Sequence, residues 1–233
     1  MLKRKITKKL NLDQKRLLIG MLIGDGTISS NYVFKLSHCI EQKEFLEWKI
    51  KLLTENNLKN NGLKTYISKT GYNEGSEVLY SQLSINPTIK ALRRTLYTPK
   101  KKITKNLLNW LDERSIAIWY MDDGHLNINN SIQRGNSVQY SIKLATCVDI
   151  DTVELIIDYF KEKWDIVFRT FKEGKGTYSI STSTKNDAMK FIAMVRPYII
   201  QLPSMYYKIR KDLTKSEFIT MQHNGLEMRD IIF

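Results

Sequence analysis

Histidine and cysteine are scarce in this 233-residue chain. Its three histidines, His38, His125 and His223, stand isolated, and Cys39 and Cys147 are the two cysteines. Two thiols are too few for a disulfide framework, and no Cys/His spacing suggests a zinc site or a histidine-built metal centre. No apolar run is long enough to cross a bilayer, and the opening Met1-Leu-Lys-Arg-Lys-Ile-Thr-Lys-Lys leads into no hydrophobic region of signal type. The expectation is a soluble, intracellular product without a membrane partner, with organelle and microbial cytoplasm left undistinguished. Acidic residues are also in deficit, 24 against 37 Lys and Arg, which leaves a net charge of +13.

The chain can bury a substantial core, and 42% apolar content with mixed charge argues against disorder. A strongly basic chain with a pI near 9.6 points to a polyanionic partner, most simply nucleic acid.

Two stretches organise the rest: Leu18-Ile-Gly-Met-Leu-Ile-Gly-Asp25-Gly26 and Ile116-Ala-Ile-Trp-Tyr-Met-Asp-Asp123-Gly124. Each apolar run predicts a buried helix that breaks at glycine and leaves a carboxylate at its C-terminal end, where the macrodipole is already negative. An anion is poorly sited there unless a cation sits beside it. Two such helices packed side by side present two carboxylates to one or two divalent metal ions. Gly20 and Gly24 share one face of the first helix, where they allow a second helix to come close.

The surrounding pattern repeats. The first half predicts a helix from Asn11 or Asp13 to Gly24, a strand over Tyr32–Ile40 and an amphipathic helix over Glu41–Leu53. Strands follow near Leu63–Lys69 and Glu77–Ile85, then a helix opened by Pro87 and running through Leu96. The second half predicts a helix from about Asp112 to Asp123, a strand over Tyr140–Val148 and a helix over Asp151–Trp164. Strands over Ile166–Phe171 and Thr177–Ser183 and a helix over Asn186–Tyr198 complete it. Lys35-Leu-Ser-His-Cys-Ile aligns with Lys143-Leu-Ala-Thr-Cys-Val. Lys35 follows Asp25 by 10 residues and Lys143 follows Asp123 by 20, so the second copy carries a longer hairpin around Asn127–Asn136.

The resulting fold class is α+β: two pseudo-symmetric αββαββα repeats with paired central motif helices and antiparallel sheets. The boundaries read as a basic arm over 1–10, a first repeat over 11–98, a linker over 99–111, a second repeat over 112–210 and a tail over 211–233. An approximate two-fold between Asp25 and Asp123 suits duplex DNA, whose strands are related by local two-folds.

The two motifs resemble those of the LAGLIDADG homing endonucleases in their single-chain, two-motif form. The first matches at Leu18, Gly20, Gly24, Asp25 and Gly26. The second keeps Ala117, Asp123 and Gly124, while Ile118 and Asp122 occupy places where the family pattern has small residues. The resemblance implies a monomer that cleaves both strands of duplex DNA at a long asymmetric site by metal-dependent phosphodiester hydrolysis. It implies Asp25 and Asp123 as metal ligands, the carbonyls of Gly24 and Asp122 as supplementary ones, and Mg²⁺ as the ion, with Mn²⁺ able to substitute. Asp122 is the competing carboxylate, but the resemblance puts the ligand immediately before the glycine.

One catalytic lysine per half is expected near the scissile phosphates. Tyr206-Tyr-Lys208-Ile resembles the family's position for it, and Lys101 and Lys102 both remain open in the first half. Along Ser137–Leu144, polar Ser137, Gln139, Ser141 and Lys143 alternate with Val138, Tyr140, Ile142 and Leu144, a ribbon suited to the major groove. Candidate DNA contacts are Lys35, Lys69, Gln82, Gln139, Lys143 and Arg169, with Lys64, Arg134, Lys172 and Lys175 for phosphates. Two alternatives share these features: an RNA maturase that assists splicing, with intron RNA as partner, and a non-cleaving DNA-binding regulator. The chain lacks the Cys or Ser start and the His-Asn end of an intein, so protein splicing is not expected.

Overall fold

The computed structural model describes residues 10–69, 74–83, 87–97, 102–131 and 137–209, with the backbone alone at 128–131 and 137–139. The N-terminal lobe runs α1 (Leu12–Ile23), β1 (Thr27–Ile28), β2 (Phe34–Cys39), α2 (Lys43–Glu55), β3 (Lys64–Ile67), β4 (Glu77–Leu83) and α3 (Pro87–Leu96). After a one-turn helix, α4 (Lys105–Leu108), the second lobe repeats the order. It runs α5 (Glu113–Asp123), β5 (Gly124–Ser131), β6 (Ser137–Val148), α6 (Ile150–Trp164), β7 (Phe168–Gly174), β8 (Thr177–Thr182) and α7 (Lys185–Ile199), then a 3-10 turn at Pro203–Lys208.

Each lobe carries a four-stranded antiparallel sheet of the same topology, β1-β2-β4-β3 and β5-β6-β8-β7. This is the double αββαββα architecture expected from the repeat. Thr27 pairs with Lys35 and His125 with Lys143, so in both lobes the residue two positions after the motif aspartate pairs with the equivalent lysine. The longer hairpin lies where the spacing located it: β1 and β2 share two paired residues, β5 and β6 eight.

Local chemistry sets the helix starts. Asn11 caps α1 in a reciprocal box with Gln14, and Asp112 caps α5 by accepting from the Ser115 N–H. The two motif helices are buried along almost their whole length, from Leu17 to Ile23 and from Ser115 to Met121. They approach closely at two points where the first motif has glycine and so no side chain of its own. A Cβ on Gly20 would lie 2.8 Å from the Cα and carbonyl oxygen of Ser115, and one on Gly24 only 2.2 Å from Asp122 Oδ2. Both glycines therefore act as expected, as the contact face of α1. The Ser115 hydroxyl donates to the Arg16 carbonyl at 3.0 Å and so ties the crossing together.

Two strands start later than the sequence reading has them, each behind a residue in the left-handed region. Tyr32 and Val33 precede β2 in a turn: Tyr32 has φ 61° and its N–H donates to the Ser29 carbonyl, so the ladder begins at Phe34. Asp165 caps α6 in the left-handed region at φ 50°, which delays β7 to Phe168. Within β2 the expected faces hold, Phe34 and Leu36 buried and Lys35 and Ser37 half-buried.

Candidate active site and nucleic-acid interface

The C-terminal ends of α1 and α5 converge. Gly24 ends α1, its N–H bonded to the Gly20 carbonyl, and Asp25 follows; Asp123 is the last residue of α5, before the Gly124 cap. The carboxylate that reaches across the crossing is that of Asp122. Its Oδ2 accepts from the Asp25 backbone N–H at 3.2 Å, through the space Gly24 leaves open. Its Oδ1 accepts from Lys49 Nζ at 2.5 Å, and neither side chain is exposed at all. Asp123 is half-buried.

Lys49 was not singled out by sequence. It lies on the core face of α2 with Phe45, Leu46 and Leu53. Its ammonium sits 4.1 Å from the Phe45 ring centroid and 3.0 Å from His38 Nε2. An ammonium only donates, so His38 accepts at Nε2 and carries its proton on Nδ1, which donates to Gln42 Oε1 at 3.0 Å. The same Nδ1 lies 3.8 Å from Asp25 Oδ2. Burial, then the Lys49 charge, pushes the His38 imidazole down to about 4, so it is neutral at pH 7. The Asp25 carboxyl is held above the usual range, first by desolvation and then by Asp122. Removing one partner of a buried ion pair costs about 3–5 kcal/mol, because the other charge stays buried unpaired.

Asp25, His38 and Asp122 offer ligand atoms within 4.8 Å of one another. Their donors are not equally available. Both Asp122 oxygens already accept hydrogen bonds and both His38 nitrogens are committed, whereas the Asp25 side chain is 42% exposed. A cation at this crossing would therefore meet oxygen donors, with Asp25 as the presented carboxylate. The raised Asp25 carboxyl fits a position where an added positive charge is favourable.

The lysines separate as follows. Lys208 is buried, its Nζ donating to the Gly124 carbonyl at 2.6 Å, and its own carbonyl accepts from the Tyr120 hydroxyl at 2.6 Å. It therefore stands directly beside the second motif's end. Lys101 lies outside the described residues. Lys102 is exposed and lines a cavity with Thr104, Asp149 and Thr152, against the start of α6 in the other lobe. Among the described residues, Lys49 is the lysine whose charge opposes the rise at Asp25.

Of the candidate DNA contacts, Lys35, Lys64, Gln82, Gln139, Lys143, Arg169 and Lys172 lie on sheet strands, while Lys69 and Lys175 lie just beyond strand ends. Lys35 pairs with Gln82, and Ser37 with Tyr80, which pairs in turn with Lys64. Lys35 Nζ sits over two rings, Tyr66 at 4.3 Å and Tyr80 at 5.0 Å. In the other lobe Lys143 pairs with Ser181, and Ser181 with Arg169, giving the equivalent cross-strand row. Lys143 Nζ sits 4.0 Å from the Phe171 centroid and 3.0 Å from Glu173. Lys69, Lys172 and Lys175 are exposed, Lys172 on the opposite parity from Arg169. Gln139 is in β6, paired with Asn129, and Arg134 lies outside the described residues. The two aromatic supports under Lys35 and Lys143 went unread in the sequence.

Comparison with known proteins agrees with this architecture. The profile of the LAGLIDADG DNA endonuclease family matches residues 15–191. The curated relatives include Protein RecA of Mycolicibacterium flavescens, 26% identical over 212 residues that span 86% of this chain and 47% of that protein. The chain thus spans about half the length of the first relatives it matches. DNA endonuclease I-ChuI of Chlamydomonas applanata is 23% identical over 86% of this chain and 95% of its own. Intron-encoded endonuclease ai4 of Dictyostelium discoideum is 27% identical over 64% of this chain and 90% of its own. Among solved structures, the homing endonuclease I-WcaI bound to its DNA recognition sequence superposes with a TM-score of 0.71, at 22% identity, over 88% of this chain and 89% of that one, a likeness of fold. With the family's profile covering both motif helices and both sheets, the chain belongs to the LAGLIDADG DNA endonuclease family.

Proposed function

We propose that this chain is a site-specific endonuclease that cleaves both strands of duplex DNA at a long asymmetric target by divalent-cation-dependent hydrolysis, acting as a monomer with internal pseudo-two-fold symmetry. The observation that carries the reading is the meeting of the two motif ends, where the Asp25 N–H reaches the Asp122 carboxylate at 3.2 Å. The rows Lys35–Gln82 and Lys143–Ser181–Arg169 on the two sheets support it.

A cation held by carboxylates supplies a Lewis acid for the phosphate and an activated water. Asp25 and Asp123 hold it in this reading, with the Gly24 and Asp122 carbonyls as supplementary donors, an all-oxygen set suited to Mg²⁺ and tolerant of Mn²⁺. Lys208, anchored on the Gly124 carbonyl, stabilises the charge that develops on the reacting phosphate. The sheet lysines and Gln82 bind backbone and base edges in the major groove.

The test uses a plasmid carrying the DNA that flanks the reading frame, joined without it. Mg²⁺ is expected to linearise this plasmid and EDTA to stop the reaction. Asp25→Asn and Asp123→Asn should abolish cutting while gel-shift binding survives. Undiminished cutting by both variants would remove the metal assignment.

A further inference from the structure

The two lobes repeat each other in topology but not in charge at the crossing. On α2 the buried positions are Phe45, Leu46, Lys49 and Leu53; on α6 the same spacing is filled by Thr152, Val153, Ile156 and Phe160. Lys49 thus occupies the place of Ile156. Gly24 and Asp122 likewise correspond, each standing one residue before its motif aspartate. One direction across the pseudo-two-fold therefore has a lysine facing an aspartate, both without exposure. The reverse direction has an isoleucine and a glycine, neither of which can hold a charge.

From this asymmetry we infer that Lys49 is a positioning residue: it clamps the Asp122 carboxylate of one lobe onto the Asp25 backbone of the other, and so fixes one of the two cleavage centres and not its twin. The chain of contacts is short. Lys49 Nζ holds Oδ1 of Asp122, Oδ2 accepts the Asp25 N–H, and the Gln42–His38–Lys49 hydrogen bonds fix the ammonium from behind. Asp25 follows the α1 cap directly, so this backbone bond sets the direction in which its carboxylate leaves the helix. Without Lys49 the Asp122 carboxylate has no reason to stay in an apolar crossing, and the turn at Asp25 loses its acceptor. Asp123 ends α5, and its turn has a brace of its own within the lobe, Lys208 on Gly124, which Lys49 does not supply. The two strands of the target are then cut by centres of unequal rigidity.

The inference rests on the endonuclease reading for its kinetic consequence, but not for its structural one. Two measurements on the full-length chain separate them. In the first, amide hydrogen exchange compares the wild-type chain with Lys49→Met in the absence of metal. Protection is expected to fall at Asp25 and to persist at Gly124. Because Lys49→Met leaves a buried carboxylate unpaired, Lys49→Met/Asp122→Leu is measured beside it; this pair removes both charges together and is expected to fold and still lose protection at Asp25. Retained protection at Asp25 in a folded Lys49→Met chain overturns the inference, and the double variant, which lacks the acceptor itself, gives the unprotected limit for that comparison. In the second, a plasmid cut by the wild-type chain is treated with Lys49→Met and with the double variant, and each strand is followed by its own end label. One strand is expected to slow about ten- to hundredfold more than the other, so that nicked circles accumulate. Equal slowing of both strands, or none, overturns the inference. A wild-type chain that leaves every such plasmid intact overturns the endonuclease reading, while the exchange result still decides the role of Lys49.

Discussion

Lys208 and Tyr120 brace each other across the second lobe: the tyrosine hydroxyl donates to the lysine's carbonyl at 2.6 Å, while the lysine ammonium donates to the Gly124 carbonyl, four residues beyond that tyrosine, at 2.6 Å. Tyr120 is completely buried, and its phenol is pushed up from the ordinary range by that burial, so it remains a donor at every working pH. Tyr120→Phe should leave the Lys208 carbonyl without its donor and cost about 1–3 kcal/mol in urea denaturation. Lys208→Met should reduce the cleavage rate far more than it reduces stability, because the charge it removes faces the reacting phosphate in the proposed mechanism.

The helix crossing predicts a steric result that needs no substrate. Gly20→Ala brings a methyl group against the Ser115 backbone, which cannot swing aside as a side-chain end can. The expected loss is about 1–3 kcal/mol, read as a lower urea midpoint with an unchanged slope. A neutral Gly20→Ala variant would mean that α1 and α5 are further apart than described.

Acid should weaken the metal-free protein through its histidines. His38 is depressed to about 4 against an unfolded value of 6.5, and His125 is also lowered, by desolvation first and then by Lys208 and Lys143. The unfolded chain binds the extra protons in that window, so stability is full above pH 6.5 and falls as the pH drops toward about 4. Asp25 acts in the opposite sense. Its raised value means the fold takes up that proton more readily, a contribution present at low pH and lost as the pH rises through the folded value. Urea melts in EDTA across this range should show the net decline, and His38→Gln should flatten it.

Metal dependence should carry the mark of Asp25. Its carboxyl keeps a proton to higher pH than an ordinary aspartate, and a cation must displace that proton. The Mg²⁺ concentration for half-maximal cutting is therefore expected to rise as the pH is lowered. A requirement that stays constant with pH would contradict the assignment of Asp25 as a ligand.

On the sheets, Lys143 is held between the Phe171 ring and Glu173, while Lys35 rests on two tyrosines. Lys143→Ala should relax discrimination at base pairs in the half-site under its own lobe, by about 1–3 kcal/mol for a bidentate contact. The other half-site should keep its preferences. Binding-site selection with each variant distinguishes this from a phosphate contact, whose loss would weaken all sequences alike and lower the salt dependence.

Much of the fold was legible because its signals are local. The caps at Asn11 and Asp112, the alternation in β2 and the ten-residue offset between Lys35 and Lys143 are all readable within a few positions. The contact face of α1 was legible for a similar reason, since Gly20 and Gly24 mark it by what they lack. Lys49 was not, although a lysine in the periodic series Phe45, Leu46, Leu53 is a visible anomaly. Its counter-ion is 73 residues away in the other repeat, and no local pattern pairs a lysine with an aspartate at that distance. The left-handed turn at Tyr32 was hidden too, because a tyrosine there gives none of the warning that glycine or asparagine would.

The β5–β6 ribbon extends six rungs further than β1–β2, which at the usual rise is about 20 Å of additional arm. Laid along a duplex, that length corresponds to about six base steps at 3.4 Å each. In the proposed endonuclease the recognised sequence is therefore lopsided about its centre, with a long flank under the C-terminal arm and a short one under the N-terminal stub.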